Sequence, residues 1–290
     1  MSTGTLLDRI LEHGSLSVRF EPVLEIGDGA PRLDYLEALI RGPRHTSVES
    51  PDILFEYARN KGQSSAVDKA CIGAILRAAR SLPRHVRLGL NVHASTLALD
   101  PEFLTFLSDS SAAADIDPAR LVVEVVEHAP PWDVGGFRNV LEGLRAIGAQ
   151  IALDDVGLGH SNYLMILECR PNYFKIDRYF VDGCHADFHR QAVLKSVAML
   201  AQAFGAKVVA EGVEKQVELD AVKGTGIDLI QGRLFGRALG LEDVLSSSFV
   251  ATPAGGRFAG ACARSIQLSW ASSSAASSAL SARTGRERNA

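Results

Sequence analysis

Eight short apolar runs recur along the chain, and from the second onward helix-like stretches separate them; this rhythm restricts the fold more than any other feature. The runs are "LSVRFEPVLEI", "RLDYLEALI", "VRLGLNV", "LVVEVVE", "QIALDD", "NYFKID", "KVVAE" and "DLIQG". Strands alternating with helices point to a parallel α/β architecture, and eight is the number that closes a barrel. Only "GDGAP" separates the first two runs, too short for a helical crossover, so they are expected to pair as an antiparallel hairpin. The expected fold is therefore a TIM-like (β/α)8 barrel whose first strand runs antiparallel to the rest. A chain of 290 residues with 47% hydrophobic content can fill such a barrel.

The helices between the runs carry terminal signals. Ser50 is placed to cap and Pro51 to start "PDILFEYARNKG", and "SSAVDKACIGAILRAARSL" follows at helical period. "VGGFRNVLEGLRAIG", "RQAVLKSVAMLAQAFG" and "KQVELDAVKG" each end at a glycine, a common helix stop. After "LEDVLSSS" the pattern gives way to a Ser/Ala-rich segment with few large apolar residues. The division expected is a folded domain over 1–245 and a disordered tail over 246–290.

Charge follows the same division. The overall formal charge is -4, but the tail holds five arginines against one acid, which leaves -8 on residues 1–245. An acidic body suits metal cations and offers no surface for duplex nucleic acid. Cys71, Cys169, Cys184 and Cys262 form no CxxC pair and read as isolated buried thiols of a reduced, cytoplasmic protein. The N-terminus has charges where a signal peptide needs an apolar run, and no stretch has the length of a membrane helix.

Each run from the second onward carries a polar residue within it or at its C-terminal end: Glu37, Asn91, Glu124, Asp154 with Asp155, Lys175, Glu211 and Gln231. In a barrel those ends converge on one face, where active sites are built. Burying so many carboxylates without compensation would cost several kcal/mol per ion, so cations belong among them. Hard carboxylate oxygens plus one amide carbonyl, with no His or Cys at matching positions, suit Mg²⁺ or Mn²⁺ rather than zinc. The adjacent Asp154 and Asp155 can reach two metals a few ångströms apart, as in phosphodiester hydrolysis. Lys175 admits two readings: it holds an attacking water, or it makes a salt bridge to Asp177 or to an aspartate of the pair.

These residues lie in motifs that resemble those of the EAL domains, cyclic di-GMP phosphodiesterases. "LEALIRG", "LNVHAST", "EVVE", "DDVGLGHS", "FKIDRYFV", "VVAEGVE" and "IQGRLFGR" stand in the family's order, and the resemblance runs from about Leu16 to Leu245. It implies metal-dependent hydrolysis of cyclic di-GMP to linear pGpG by in-line attack of hydroxide, with two Mg²⁺ or Mn²⁺ ions per site. By motif, Glu37, Asn91, Glu124 and Asp154 would be metal ligands, and Asp155 would ligate the second ion. Glu211 would complete the metal site and serve as general base, while Lys175 would contact the nucleophilic water. Leu39 and Arg41 would bind substrate, with Gln231, Glu214 and Asp177 supporting the pocket. Glu127 would brace the loop after Asp155, which in the family couples the second metal site to homodimerisation.

Departures from the family pattern concentrate in that loop. Where the family resembles DDFGTGYSSL, this chain has Val156, Leu158, His160, Asn162 and Tyr163 in place of Phe, Thr, Tyr, Ser and Leu, although Gly157, Gly159 and Ser161 are kept. Val126 stands where Thr is common, and "GRALG" lacks a proline. These changes bear on activation more than on metal binding, and His160 reads as a loop residue rather than a base. The alternative to an active enzyme is a catalytically weak or inactive cyclic di-GMP receptor acting through protein interactions; a third reading is a scaffold with no dinucleotide at all.

Overall fold

The structure is a computed structural model that describes residues 5–12, 14–27, 29, 31–126, 133–158, 163–247 and 250. Glu127, His160 and Cys262, together with most of the Ser/Ala-rich segment, lie outside the described residues. Eight strands close a barrel in sequence order: β1 (Ser17–Glu25), β2 (Arg32–Arg41), β3 (Leu88–His93), β4 (Leu121–Val126), β5 (Gln150–Leu153), β6 (Tyr173–Ile176), β7 (Lys207–Ala210) and β8 (Leu229–Ile230). β1 is antiparallel to both neighbours, β2 and β8, and every other pairing is parallel. The reversed first strand expected from the short hairpin is present.

The surrounding helices are α1 (Leu6–Leu11), α2 (Pro51–Asn60), α3 (Ser64–Ala79), α4 (Ala94–Leu99), α5 (Phe103–Ala113), α6 (Val134–Ala146), α7 (Tyr163–Cys169), α8 (Arg178–Val181), α9 (Phe188–Ala203), α10 (Gln216–Lys223) and α11 (Leu241–Ser246). α3 shows why they pack as they do: Val67, Cys71, Ile72, Ile75, Leu76 and Ala79 recur at helical spacing and are all buried against the barrel. Three expected helix ends differ in detail. Ser50 occupies the N-cap of α2, but its side chain makes no capping hydrogen bond; Pro51, with φ preset for the first turn and no N–H to satisfy, is the stronger start signal. α9 begins two residues before the expected Arg190, because the Asp187 carboxylate accepts from the His189 and Arg190 amides. Gly224 closes α10 at φ -70, a right-handed conformation that needs no glycine. At the C-terminal side, Val250 is buried and joins the core beyond the boundary expected at Leu245.

Strand parity sorts the barrel interior into three levels. The middle level is apolar, built from Val23, Tyr35, Val122, Ala152, Tyr173, Val209 and Leu229. Below it, at the N-terminal ends of the parallel strands, Arg87 donates to Asp34 at 2.7 Å and to the Tyr173 hydroxyl at 2.7 Å, while Lys207 reaches Glu25 at 3.0 Å and Asp34 at 3.2 Å. Arg32 adds a third cation, 3.0 Å from Glu25, and the network plugs that end. Above the apolar level, two residues further along each strand, lie the polar positions singled out by the sequence.

Arg87→Ala should therefore be a stability mutation. It strips the nearly buried Asp34 of one cation while Lys207 remains, and about 2–3 kcal/mol of unfolding free energy should be lost in urea titration. Undiminished stability would mean that this network does not close the barrel.

Candidate functional site

The upper level contains one residue from each strand position: Glu21, Glu37, Asn91, Glu124, Asp154, Lys175, Glu211 and Gln231. Register places them together. Glu21 stands opposite Glu37 on the hairpin, and Asn91 opposite Glu124 across β3 and β4. Seven of the eight were expected from the strand ends. Glu21 was not, because on a reversed strand the upper level falls toward the N-terminal end; the signal was the hairpin register with Glu37.

Lys175 is the hub. Its ammonium, 1% exposed, lies 2.5 Å from Glu124 Oε2, 2.7 Å from Glu211 Oε1, 3.3 Å from Asp154 Oδ1 and 3.4 Å from Glu37 Oε2. The sequence had offered Asp177 or the aspartate pair as its ionic partner. Asp154 of the pair is indeed a partner, whereas the Asp177 carboxylate caps α8 by accepting from the Tyr179 amide at 2.7 Å. Burial opposes the charge on Lys175, but the four carboxylates outweigh it and hold the amine well above its ordinary range. The amine is a fixed cation and no base.

One ammonium does not satisfy this many acids. Burial, repulsion from Glu37 and repulsion from Asp154, against the attraction of Lys175, leave Glu124 pushed up to about 8. Burial also pushes Glu211 well above its ordinary value, although Lys175 pulls the other way. Glu37 is the exception: burial raises it, but Lys175 and hydrogen bonds from Asn91 at 2.9 Å and Gln231 at 2.7 Å more than compensate and hold it low.

The donor set fits divalent cations on the structure's own terms. Oxygen atoms of Asp154, Asp155 and Glu211 all lie within 4.8 Å of one another, and Asn91 Oδ1 is buried with no hydrogen-bond partner among the described residues. All are hard oxygens, as Mg²⁺, Mn²⁺ or Ca²⁺ prefer. Asp155 joins the group through an unusual backbone: its φ is +50, a left-handed conformation that aspartate tolerates and that costs about 1 kcal/mol. Gly157 follows at φ +96, where an added Cβ would press on the Phe180 ring. This part of the departed loop turns at Gly157 in the left-handed conformation that glycine permits.

Two cavities flank the cluster and share Glu37 and Asp154. The first, of about 250 Å³, is lined by Leu39, Arg41, Phe55, Asn91 and His93. The second, of about 360 Å³, is lined by Glu21, Lys175, Asp177, Glu211, Glu214 and Gln231. The expected substrate residues are thus divided, with Leu39 and Arg41 on one side and Asp177, Glu214 and Gln231 on the other. Arg41 donates to the Ile40 carbonyl at 2.8 Å, and Glu214 accepts from Arg233 Nε at 2.9 Å. His93 was not singled out by the sequence reading; its Nδ1 lies 2.9 Å from the fully buried Asp68, which orients the ring in the first cavity.

Comparison with known proteins fits this geometry. The family model described as "EAL domain" matches residues 5–238. The chain belongs to the EAL domain family. It is 32% identical over 258 residues to the "Bifunctional diguanylate cyclase/cyclic di-GMP phosphodiesterase MucR" of Pseudomonas aeruginosa, covering 83% of this chain and 36% of that protein. It is 29% identical over 243 residues to the "Cyclic di-GMP phosphodiesterase NbdA" of the same organism, covering 81% of this chain and 30% of that one. The EAL chain described here therefore spans about a third of these relatives' length. Among solved structures, Klebsiella pneumoniae BlrP1 in its calcium and cyclic di-GMP complex aligns with a TM-score of 0.68 at 30% identity, covering 78% of this chain and 56% of that one.

Gly89 makes room for the site. A Cβ there would stand 2.0 Å from Glu124 Oε1 and 2.9 Å from Tyr35 Cε2, so no side chain fits without moving the glutamate. Gly89→Ala should weaken Mn²⁺ binding by about tenfold or more in calorimetric titration. Wild-type affinity in that variant would remove Glu124 from the ligand set.

Proposed function

We propose that this EAL domain hydrolyses cyclic di-GMP to linear pGpG with two Mg²⁺ or Mn²⁺ ions per site. The observation that carries the reading is the excess of buried hard-oxygen ligands around the single Lys175 ammonium, open to cavities on both sides. The names of MucR and NbdA support the substrate, and the calcium and manganese complexes of BlrP1 with cyclic di-GMP support a divalent cation. Glu37, Asn91, Glu124 and Asp154 would hold one ion, with Asp155 and Glu211 reaching toward the other. The bound cations supply the positive charge that lowers the pKa of a water and offsets charge building on the phosphodiester.

The chain's own residues divide the remaining work. Lys175 donates to the attacking water and keeps its positive charge beside the phosphorus as the phosphorane forms. Glu211 accepts the proton that the water gives up. Arg41, from the Leu39 side, binds a phosphate oxygen or a guanine edge, while Asp177 and Glu214 line the opposite wall. Gln231 holds Glu37 in orientation through its 2.7 Å bond. Water oxygen bonds to phosphorus, the bond to the ribose 3′-oxygen breaks in line, that oxygen takes a proton from solvent as it leaves, and Glu211 returns its proton to solvent. Glu127 is assigned to brace the loop after Asp155.

Homodimerisation through the helices following that loop belongs to the same reading. α7 presents Tyr163, Leu164 and Leu167 to solvent, an apolar face that sedimentation of the protein tests. A cytoplasmic setting accords with the buried free thiols of Cys71, Cys169 and Cys184. No helix among the described residues is long and apolar enough to cross a membrane.

The deciding experiment incubates the protein with cyclic di-GMP and Mg²⁺ or Mn²⁺, with an EDTA control, and resolves the nucleotides by chromatography. Metal-dependent pGpG is expected; bound but uncleaved dinucleotide would make the protein a receptor instead. Glu37→Ala and Asp154→Ala should lose turnover far more than folding stability. In Lys175→Ala, kcat should fall about 100-fold or more with dinucleotide affinity retained. Equal loss of both would reduce Lys175 to a structural cation.

A further inference from the structure

Directly beneath the carboxylate level, the Tyr35 hydroxyl is wholly buried and has no hydrogen-bond partner among the described residues. A stranded hydroxyl costs about 1–3 kcal/mol, and a phenylalanine ring would fill the same space without that cost. The ring itself is fixed, packed 5.5 Å from the Tyr173 ring at a tilt of 58°. The second stranded group is Glu124 Oε1, also buried and without a hydrogen-bond partner, although Oε2 of the same carboxylate contacts Lys175 at 2.5 Å. The two unpartnered groups belong to residues that meet over Gly89, where the Tyr35 ring edge and Glu124 Oε1 crowd the same point. One is a donor and the other an acceptor.

We infer that Tyr35 is a positioning residue for Glu124: its hydroxyl holds the inner oxygen of that carboxylate, directly or through one water, and so presents the outer oxygen to a cation. The inference rests on the cation-binding reading above. A tyrosine hydroxyl carries its proton at neutral pH and can act as a donor. Glu124 Oε2 contacts Lys175, while Oε1 on the Tyr35 side has no hydrogen-bond partner among the described residues. A cation shares Glu124 on the upper side, and a donor below then fixes the carboxylate's rotation. Partners behind metal ligands act in this way and set metal affinity.

The Tyr35→Phe variant keeps the ring and removes only the hydroxyl. Mn²⁺ affinity, measured by calorimetry and by the paramagnetic resonance of free Mn²⁺, should fall about tenfold to a hundredfold. Thermal stability in EDTA should be unchanged or higher, because the hydroxyl has no hydrogen-bond partner among the described residues. Tyr173→Phe is the control: its hydroxyl bonds Asp34 at 3.0 Å in the lower network, so that variant should lose stability and keep Mn²⁺ affinity. Wild-type Mn²⁺ affinity in Tyr35→Phe overturns the assignment, as does equal weakening in both variants, which would signal general loosening of the barrel. Failure of the unaltered protein to bind Mn²⁺ would overturn the cation reading itself and the role of Tyr35 with it.

Discussion

The ammonium of Lys175, set among Glu37, Glu124, Asp154 and Glu211, is the contact on which the upper half of the barrel depends. Without it, four carboxylates from four strands would face one another inside a closed sheet, and each uncompensated ion would cost several kcal/mol. With it, the charge is still unbalanced. Proton uptake can relieve the strain in part, as the upward shifts of Glu124 and Glu211 indicate. Bound cations, as proposed, would relieve it further.

That arrangement follows from parity. Interior positions recur every second residue, so an apolar ring of Val23, Tyr35, Val122, Ala152, Tyr173, Val209 and Leu229 implies a second ring two residues further up each parallel strand. On β1 the direction is reversed, and the same step leads back to Glu21. This acid faces Glu37, and burial together with the Glu37 charge pushes it up. Site and core are therefore adjacent turns of one pattern, and Gly89 marks where they interlock: a larger residue there would intrude on Glu124 above it.

Much of this was legible in the sequence, for a physical reason. A parallel strand buried on both faces reads as a continuous apolar run, so a single Glu, Asn, Asp or Lys at its end stands out. Seven upper-level residues announced themselves in this way, as did the hairpin. Glu21 did not, since it lies mid-run on the reversed strand with Pro22 after it. Tyr35 looked like an ordinary core aromatic, because its hydroxyl has significance only once Glu124 is known to lie above Gly89. The division of the residues proposed for substrate between two cavities was equally hidden, as it depends on where Glu37 and Asp154 stand in three dimensions. Helices α4 and α5 went unread because their polar faces and short lengths give little periodicity, and their place comes from packing beside β3 and α6.

The two polar levels of the same barrel separate what folding requires from what the site requires. At the lower end, Asp34 and Glu25 meet Arg87 and Lys207, with the exposed Arg32 also on Glu25, so each acid there has at least two cationic partners. A barrel mouth can thus be sealed with paired ions, and this sequence does so where nothing needs to bind. At the upper end the same chain gathers Glu21, Glu37, Glu124, Asp154, Asp155 and Glu211 around Lys175, whose ammonium contacts four of them, while the Arg41 charge acts on Glu21. Folding by itself would favour pairing there too, since buried acids without partners destabilise the native state. The proposed cation binding accounts for that excess of acids, and the middle apolar ring separates it from the network that seals the base.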